Sequence, residues 1–71
     1  MLFDCREMKC PLAFVKAKQQ LLKNKTKVFL FNEDISLYNF CRYLDNEKYR
    51  YTTHFLDGFV QLTVEFIENT N

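Results

Sequence analysis

The chain has 71 residues, with ten Lys+Arg against nine Asp+Glu for a formal net charge of +1, 48% apolar residues and 17% aromatics. This length allows one small domain with a thin core; the composition excludes a disordered tail and a collagen-like chain, and the near-zero net charge argues against a general nucleic-acid binder. Gly58 and Pro11 are the single glycine and single proline, where average usage would give roughly five and three or four, so the loops are expected to be few and short.

The pattern of apolar residues switches period five times, without a linker, a repeat or a low-complexity stretch. Residues 1–5 read as a short extended segment. Pro11 opens a helical pattern that runs to about Asn24, because proline suits the first helical turn, where its missing N–H costs nothing. Cys10 is thereby placed at or next to the helix N-cap. Phe14, Ala17 and Leu21 form one stripe, widened by Val15 and Leu22, with Lys16, Gln19, Gln20 and Lys23 on the wet side. Lys23, Lys25 and Lys27 crowd the far end, where cations complement the helix dipole.

Lys27 to Phe31 reads as a central strand, apolar on both faces. Asn32, Glu33 and Asp34 are capping or acidic residues that should start a second helix over about Ile35 to Asp45, with Leu37, Phe40, Cys41 and Leu44 on one face. A helical turn ends near Asn46. Asp57-Gly58 is expected to form a type I′ hairpin turn. That turn pairs Phe55 with Val60, Thr53 with Leu62, Tyr51 with Val64 and Tyr49 with Phe66 on one face. On the other face it pairs Leu56 with Phe59, His54 with Gln61, Thr52 with Thr63 and Arg50 with Glu65, the last a cross-strand ion pair in prospect.

The order is βαβαββ. It predicts an α+β fold: a two-layer α/β sandwich with a four-stranded mixed sheet and both helices on one face. The first two strands should be parallel through a right-handed crossover. The other sheet face stays open. If the even-numbered face of the second strand is buried, Phe29 and Phe31 join Phe59 on that open face, an apolar cluster of the kind that marks partner sites.

Charge is unevenly spread: residues 1–31 carry seven basic and two acidic side chains (+5), and residues 32–71 carry three and seven (−4). The cysteines number three, Cys5, Cys10 and Cys41. No apolar leader precedes them, and no run approaches the ~18 residues of a membrane span. A soluble cytoplasmic protein with reduced thiols is expected, and a disulfide scaffold is not.

Chemistry concentrates in residues 4–13, Asp-Cys-Arg-Glu-Met-Lys-Cys-Pro-Leu-Ala. A helix start offers free N–H groups and the positive end of the dipole, which stabilise a thiolate and lower its pKa below the free value of ~8.5. Arg6, Lys9 and Lys16 add positive potential around Cys10. The thiolate is the form that sulfur nucleophilic chemistry requires; the plainer alternative is a small hydrophobe filling a corner. Cys5 alternates with Phe3 in a strand and reads as a buried thiol, or as a resolving partner for Cys10. Cys41 reads as core. No ligand set has a workable metal spacing, Cys5, Cys10 and His54 being the nearest to one, and no cofactor is expected. A phosphate cradle is close to excluded by the single glycine.

These residues resemble a known family. Leu2-Phe3-Asp4-Cys5-Arg6, followed by Cys10-Pro11 and a basic helix, is similar to the TusA/SirA family of small sulfur carriers. The Phe40-Cys41-Arg42-Tyr43-Leu44 segment and the Asp57-Gly58 hairpin extend the likeness over roughly residues 2–67. The resemblance implies the same βαβαββ sandwich over one domain, residues 1–71. It also implies that Cys10 is the motif cysteine. In such carriers that cysteine accepts sulfane sulfur as a persulfide from a cysteine desulfurase or a rhodanese-like donor and passes it to an acceptor protein. Relays of this kind serve thiolation of tRNA uridines, molybdenum-cofactor supply or sulfur oxidation.

Asp4 matches the motif aspartate, and Arg6 and Lys9 match commonly charged or variable turn positions. Two departures stand out: Glu7 replaces the family's turn glycine, and Ala13 replaces the second proline. Ala13 is expected to restore an N–H near the Cys10 sulfur and so keep or deepen thiolate stabilisation. Lys16, Lys18 and Lys23 would help to dock an acidic donor or acceptor. The expected protein is a monomeric sulfurtransferase of the persulfide-carrier type, without direct nucleic-acid or membrane contact. The alternative is a non-enzymatic interaction module that docks partners on the open sheet face around Phe29, Phe31 and Phe59.

Overall fold

The computed structural model describes residues 2–9 and 11–65. The elements run β1 (Leu2–Asp4), α1 (Leu12–Asn24), β2 (Val28–Phe31), α2 (Ile35–Asn46), β3 (Arg50–Leu56) and β4 (Phe59–Glu65). The expected βαβαββ order and α+β class hold. The sheet order is β1-β2-β4-β3, with β1 and β2 parallel and the other neighbours antiparallel. β2 is central, as its two apolar faces require.

Each helix start has its own cause. The Asp34 side chain accepts from the Ser36 N–H at 3.0 Å, the standard way to satisfy an orphan donor of a first turn. Pro11 is the N-cap of α1 and has no side-chain bond to offer. α1 ends at Lys25, which adopts a left-handed conformation with φ 52°. Lys48, after α2, has φ 63°. Glycine usually fills such positions, and this chain assigns both to lysines.

Seven register pairs join β3 and β4, from Arg50↔Glu65 to Leu56↔Phe59, and all seven match the register read from the hairpin. The remaining expected pair, Tyr49 with Phe66, reaches outside the described residues. Two details differ. Gly58 has φ 85°, while the left-handed non-glycine positions among the described residues are Lys25 and Lys48. Asp57 therefore keeps an ordinary φ, and the turn has its one positive angle at the second central position, as in type II rather than type I′. Arg50 and Glu65 face each other but form no ion pair; among the described residues the one salt bridge is Arg6–Asp4.

One core lies between the helices and the sheet. It contains Cys5, Ala13, Ala17, Leu21, Phe29, Phe31, Leu37, Phe40, Leu44, Val60, Leu62 and Val64. Phe40 is its hub, with ring centroids 5.0 Å from Phe29, 5.4 Å from Phe31 and 6.4 Å from Phe14. This overturns the expectation that Phe29 and Phe31 sit on the open sheet face. Both are buried, because the antiparallel register Phe31↔Val60 and Phe29↔Leu62 aligns them with the inward residues of β4. The open face instead carries Val28, Leu30, Phe59, Gln61 and Thr63.

The buried stripe of α1 is also rotated from the expected one, to Ala13, Ala17 and Leu21. Val15 and Leu22 are exposed and Phe14 only half-buried. The alanines are buried in the core, and Phe14 reaches sideways to Tyr43 and Phe40.

Candidate functional site

The β1–α1 loop carries the sequence-predicted site. Cys10 lies outside the described residues, and its neighbours Lys9 and Pro11 are described. Connectivity and strand register gather the C-terminal ends of β1 and β2, the starts of α1 and α2, and the Leu56–Phe59 turn at one end of the molecule. The loop runs across that end.

Its first half is tied down residue by residue. Cys5 is 2% exposed, and its N–H donates to the Leu30 carbonyl at 2.8 Å, one step beyond the β1–β2 ladder. The Met8 N–H donates to the Cys5 carbonyl at 3.2 Å, closing a turn over Arg6 and Glu7. Glu7 is not among the left-handed residues, so this turn needs no glycine, and the departure from the family pattern there leaves the backbone unstrained. Met8 packs against the core. The Asn32 side-chain amide donates to the Arg6 carbonyl, a contact across 26 residues that no local pattern announces.

Asp4 and Arg6 form the loop's charged anchor. Asp4 Oδ1 accepts from the Arg6 N–H at 2.9 Å and from Nε at 3.0 Å, and Oδ2 accepts from Nη2 at 2.8 Å. Hydrogen bonds from the Arg6 side chain, then from its backbone, hold the Asp4 carboxyl below its ordinary value. Asp4 is thus a fixed anion committed to the turn. The same guanidinium lies 4.7 Å from the Phe59 ring centroid, a cation–π contact that ties the loop to the sheet's open face. Phe59 therefore serves the loop as well as the surface.

The second half closes on α1. The Ala13 N–H donates to the Lys9 carbonyl at 3.0 Å, and the Val15 N–H donates to the Pro11 carbonyl at 3.1 Å. This corrects the expectation that the Ala13 N–H is free for the sulfur: it is engaged in holding Lys9. Ala13 itself is 1% exposed. The first turn of α1 contains no acidic residue, so the positive end of its dipole is not neutralised there.

The other two thiols differ from this setting. Burial pushes the Cys5 thiol up to about 12, and the nearby Asp4 charge adds to it. Cys41 is half-buried, not fully in the core as its position on the stripe suggested. Burial raises its pKa, a Tyr51 hydrogen bond lowers it and the Asp45 charge raises it. In both, burial works against the thiolate form.

The predicted docking lysines split. Lys16 and Lys23 are exposed, as is the supporting Lys9, whereas the Lys18 ammonium lies 5.1 Å from the Tyr43 ring centroid and is drawn into the helix–helix contact. Beside it Phe14, Asn39, Arg42, Tyr43 and Asn46 line a shallow cleft between α1 and α2, which the spacing within either helix does not reveal. His54 is exposed on β3. Among the described residues no three His, Cys, Asp or Glu side chains are grouped to hold a metal ion, and no helix is long and apolar enough to cross a membrane.

No protein-family model and no curated protein matches the chain significantly. A solved structure does: the crystal structure of the SirA-like protein from Desulfitobacterium hafniense, at a TM-score of 0.74 and 23% identity, covering 90% of this chain and 95% of that one. The likeness spans both helices and the mixed sheet, and the chain has the SirA-like fold.

Proposed function

We propose that this protein is a sulfur carrier, a sulfurtransferase of the persulfide type, with Cys10 as the residue that holds the sulfur. The observation that carries this reading is the start of α1. Pro11 caps a 13-residue helix whose first turn is free of carboxylates, and Cys10 is the residue immediately before that cap. A thiol there experiences the uncompensated positive end of the dipole. Burial shifts both Cys5 and Cys41 away from the thiolate form, which favours Cys10 as the cysteine suited to nucleophilic work, and the SirA-like fold agrees with the family that the sequence resembles.

In the proposed step, the Cys10 thiolate attacks the terminal sulfur of a donor cysteine persulfide. A new S–S bond forms on Cys10, the donor's S–S bond breaks, and the donor cysteine leaves as a thiolate. The transferred sulfur keeps its oxidation level, so no separate oxidant or reductant is consumed. The reverse arrangement delivers the sulfur to an acceptor protein. Asp4, Arg6 and Phe59 position the loop, Lys9 and Ala13 close it, and exposed Lys16 and Lys23 give an acidic partner a positive face. A cysteine desulfurase or a rhodanese-like protein fits as donor, and tRNA thiolation or cofactor sulfur supply as the pathway. The alternative docking module on the open sheet face loses two of its three residues, because Phe29 and Phe31 are core.

The test is incubation with a cysteine desulfurase and cysteine, followed by intact mass. The expected gain is one sulfur atom, absent in Cys10→Ser and retained in Cys41→Ser. No adduct on wild type, or an adduct retained in Cys10→Ser, would overturn the assignment.

A further inference from the structure

β3 is an edge strand of seven residues, and nothing pairs with its outer side among the described residues. Edge strands are commonly blunted by proline, by bulges or by lysine. Arg50–Leu56 contains no proline or lysine and pairs with β4 without a bulge. It also leaves Phe55 62% exposed and Leu56 47% exposed.

The direction of its backbone groups follows from β4. The Val64 N–H donates to the Lys27 carbonyl at 2.7 Å, so the even residues of β4 bond toward β2 and its odd residues bond toward β3. Hydrogen-bonded and non-hydrogen-bonded pairs alternate in an antiparallel ladder. Arg50, Thr52, His54 and Leu56 therefore spend their backbone groups on β4, and Tyr51, Thr53 and Phe55 point theirs outward.

We propose that β3 pairs with β3 of a second copy of this chain, antiparallel, about a two-fold axis at Thr53. The three outward residues are symmetric about Thr53, so Thr53 meets Thr53 and Tyr51 meets Phe55 of the second copy on both sides of the axis. Every outward N–H and C=O of the strand is then satisfied. A register shifted to pair Tyr49 with Phe55 is disfavoured, since the Tyr49 N–H already donates to the Leu44 carbonyl at 2.8 Å. The two Tyr51–Phe55 pairs are aromatic cross-strand contacts on the helix side, and they cover the exposed Phe55 ring. Charge agrees: among the described residues neither Arg50, at one strand end, nor Asp57, just past the other, forms an ion pair, and this register sets each Arg50 one residue along from Asp57 of the second copy. The interface is isologous and closes at two copies. It contains one strand per copy, so its strength is expected to be modest and concentration-dependent. It departs from the monomer expected from sequence, and it is independent of the chemistry at Cys10.

Sedimentation velocity over a series of concentrations tests it. Wild type is expected to pass from monomer to dimer by millimolar concentration, with weaker association at high salt. Thr53→Lys sets two like charges on the axis, and Thr53→Pro removes the axial donor at a position where no bond to β4 is lost. Both are expected to stay monomeric with the wild-type circular dichroism spectrum, and Thr53→Lys keeps the test open if the proline variant fails to fold. A wild type that remains monomeric to millimolar concentration, or a dimer that survives in either folded variant, overturns the proposal.

Discussion

The Ala13 N–H donates to the Lys9 carbonyl at 3.0 Å, so the residues on either side of Cys10-Pro11 are tied to each other. Ala13 is also buried among the core residues. Ala13→Pro would match the family motif, yet it removes this donor and adds ring atoms to a filled site. A loss of about 1–3 kcal/mol is expected from the missing bond and the overpacking. Urea unfolding measures it, and a variant as stable as wild type would show that the bond and the packing are both dispensable.

Asp4 titrates below its ordinary value because Arg6 donates to it. A depressed carboxyl stabilises the fold above the unfolded pKa of about 3.9, and that contribution is lost as pH falls through the lower folded value. Asp4→Asn keeps an oxygen for the Arg6 N–H and loses the charge. Wild type is expected to be more stable than Asp4→Asn at pH 7, with the gap closing below about pH 4. The pair is solvent-exposed, so the gap is small and should shrink further in salt. A gap independent of pH would remove the charge as its cause.

Burial raises the Cys5 thiol from 9.0 to about 12. The folded state then holds a proton that the unfolded state releases, so stability is intact below about pH 8.5 and falls as pH rises toward the folded value. The full span corresponds to about 4 kcal/mol. Tyr51, raised to about 12 chiefly by burial, adds loss in the same direction at higher pH. Cys5→Ala should flatten the alkaline limb between pH 9 and 11 without reaching the flatness of a double variant with Tyr51→Phe. In native wild type, Cys5 should resist alkylation at pH 8 and react after unfolding; peptide mapping that finds it labelled in the folded protein would contradict its burial.

Lys25 ends α1 at φ 52°, a conformation that costs a side-chain-bearing residue roughly 1–2 kcal/mol. Lys25→Gly relieves that strain while adding freedom to the unfolded chain, so a net gain of about 0.5–1 kcal/mol is expected. Thermal unfolding at fixed pH decides, and a lower midpoint in the variant would mean that the lysine makes an offsetting contact.

Much of the fold is legible without coordinates, for local reasons. The Asp57-Gly58 turn and the alternation on both flanking segments fix a seven-pair register, because a slip of one residue would turn Val60, Leu62 and Val64 to water. The Asp34 cap and the apolar periodicity place α2 to within a residue of its observed end. The turn type escaped because Asp-Gly suits more than one turn, and only the backbone angle at Asp57 separates them.

The candidate site divides along the same line. The sequence by itself determined the β1–loop–α1 order, the position of Cys10 before the Pro11 cap, and the burial of Cys5, each of which depends on neighbours along the chain. The tertiary structure decided which face of β2 is core: Val28-Phe29-Leu30-Phe31 is apolar on both sides, so its pattern survives inversion, and only pairing with β4 and the fit of Phe40 break the tie. It likewise decided that Arg6 is shared by Asp4 and Phe59, and that Asn32 holds the loop. The Arg6–Asn32 and Arg6–Phe59 contacts join residues 26 and 53 positions apart, and no periodicity within one segment encodes a distance across the sheet.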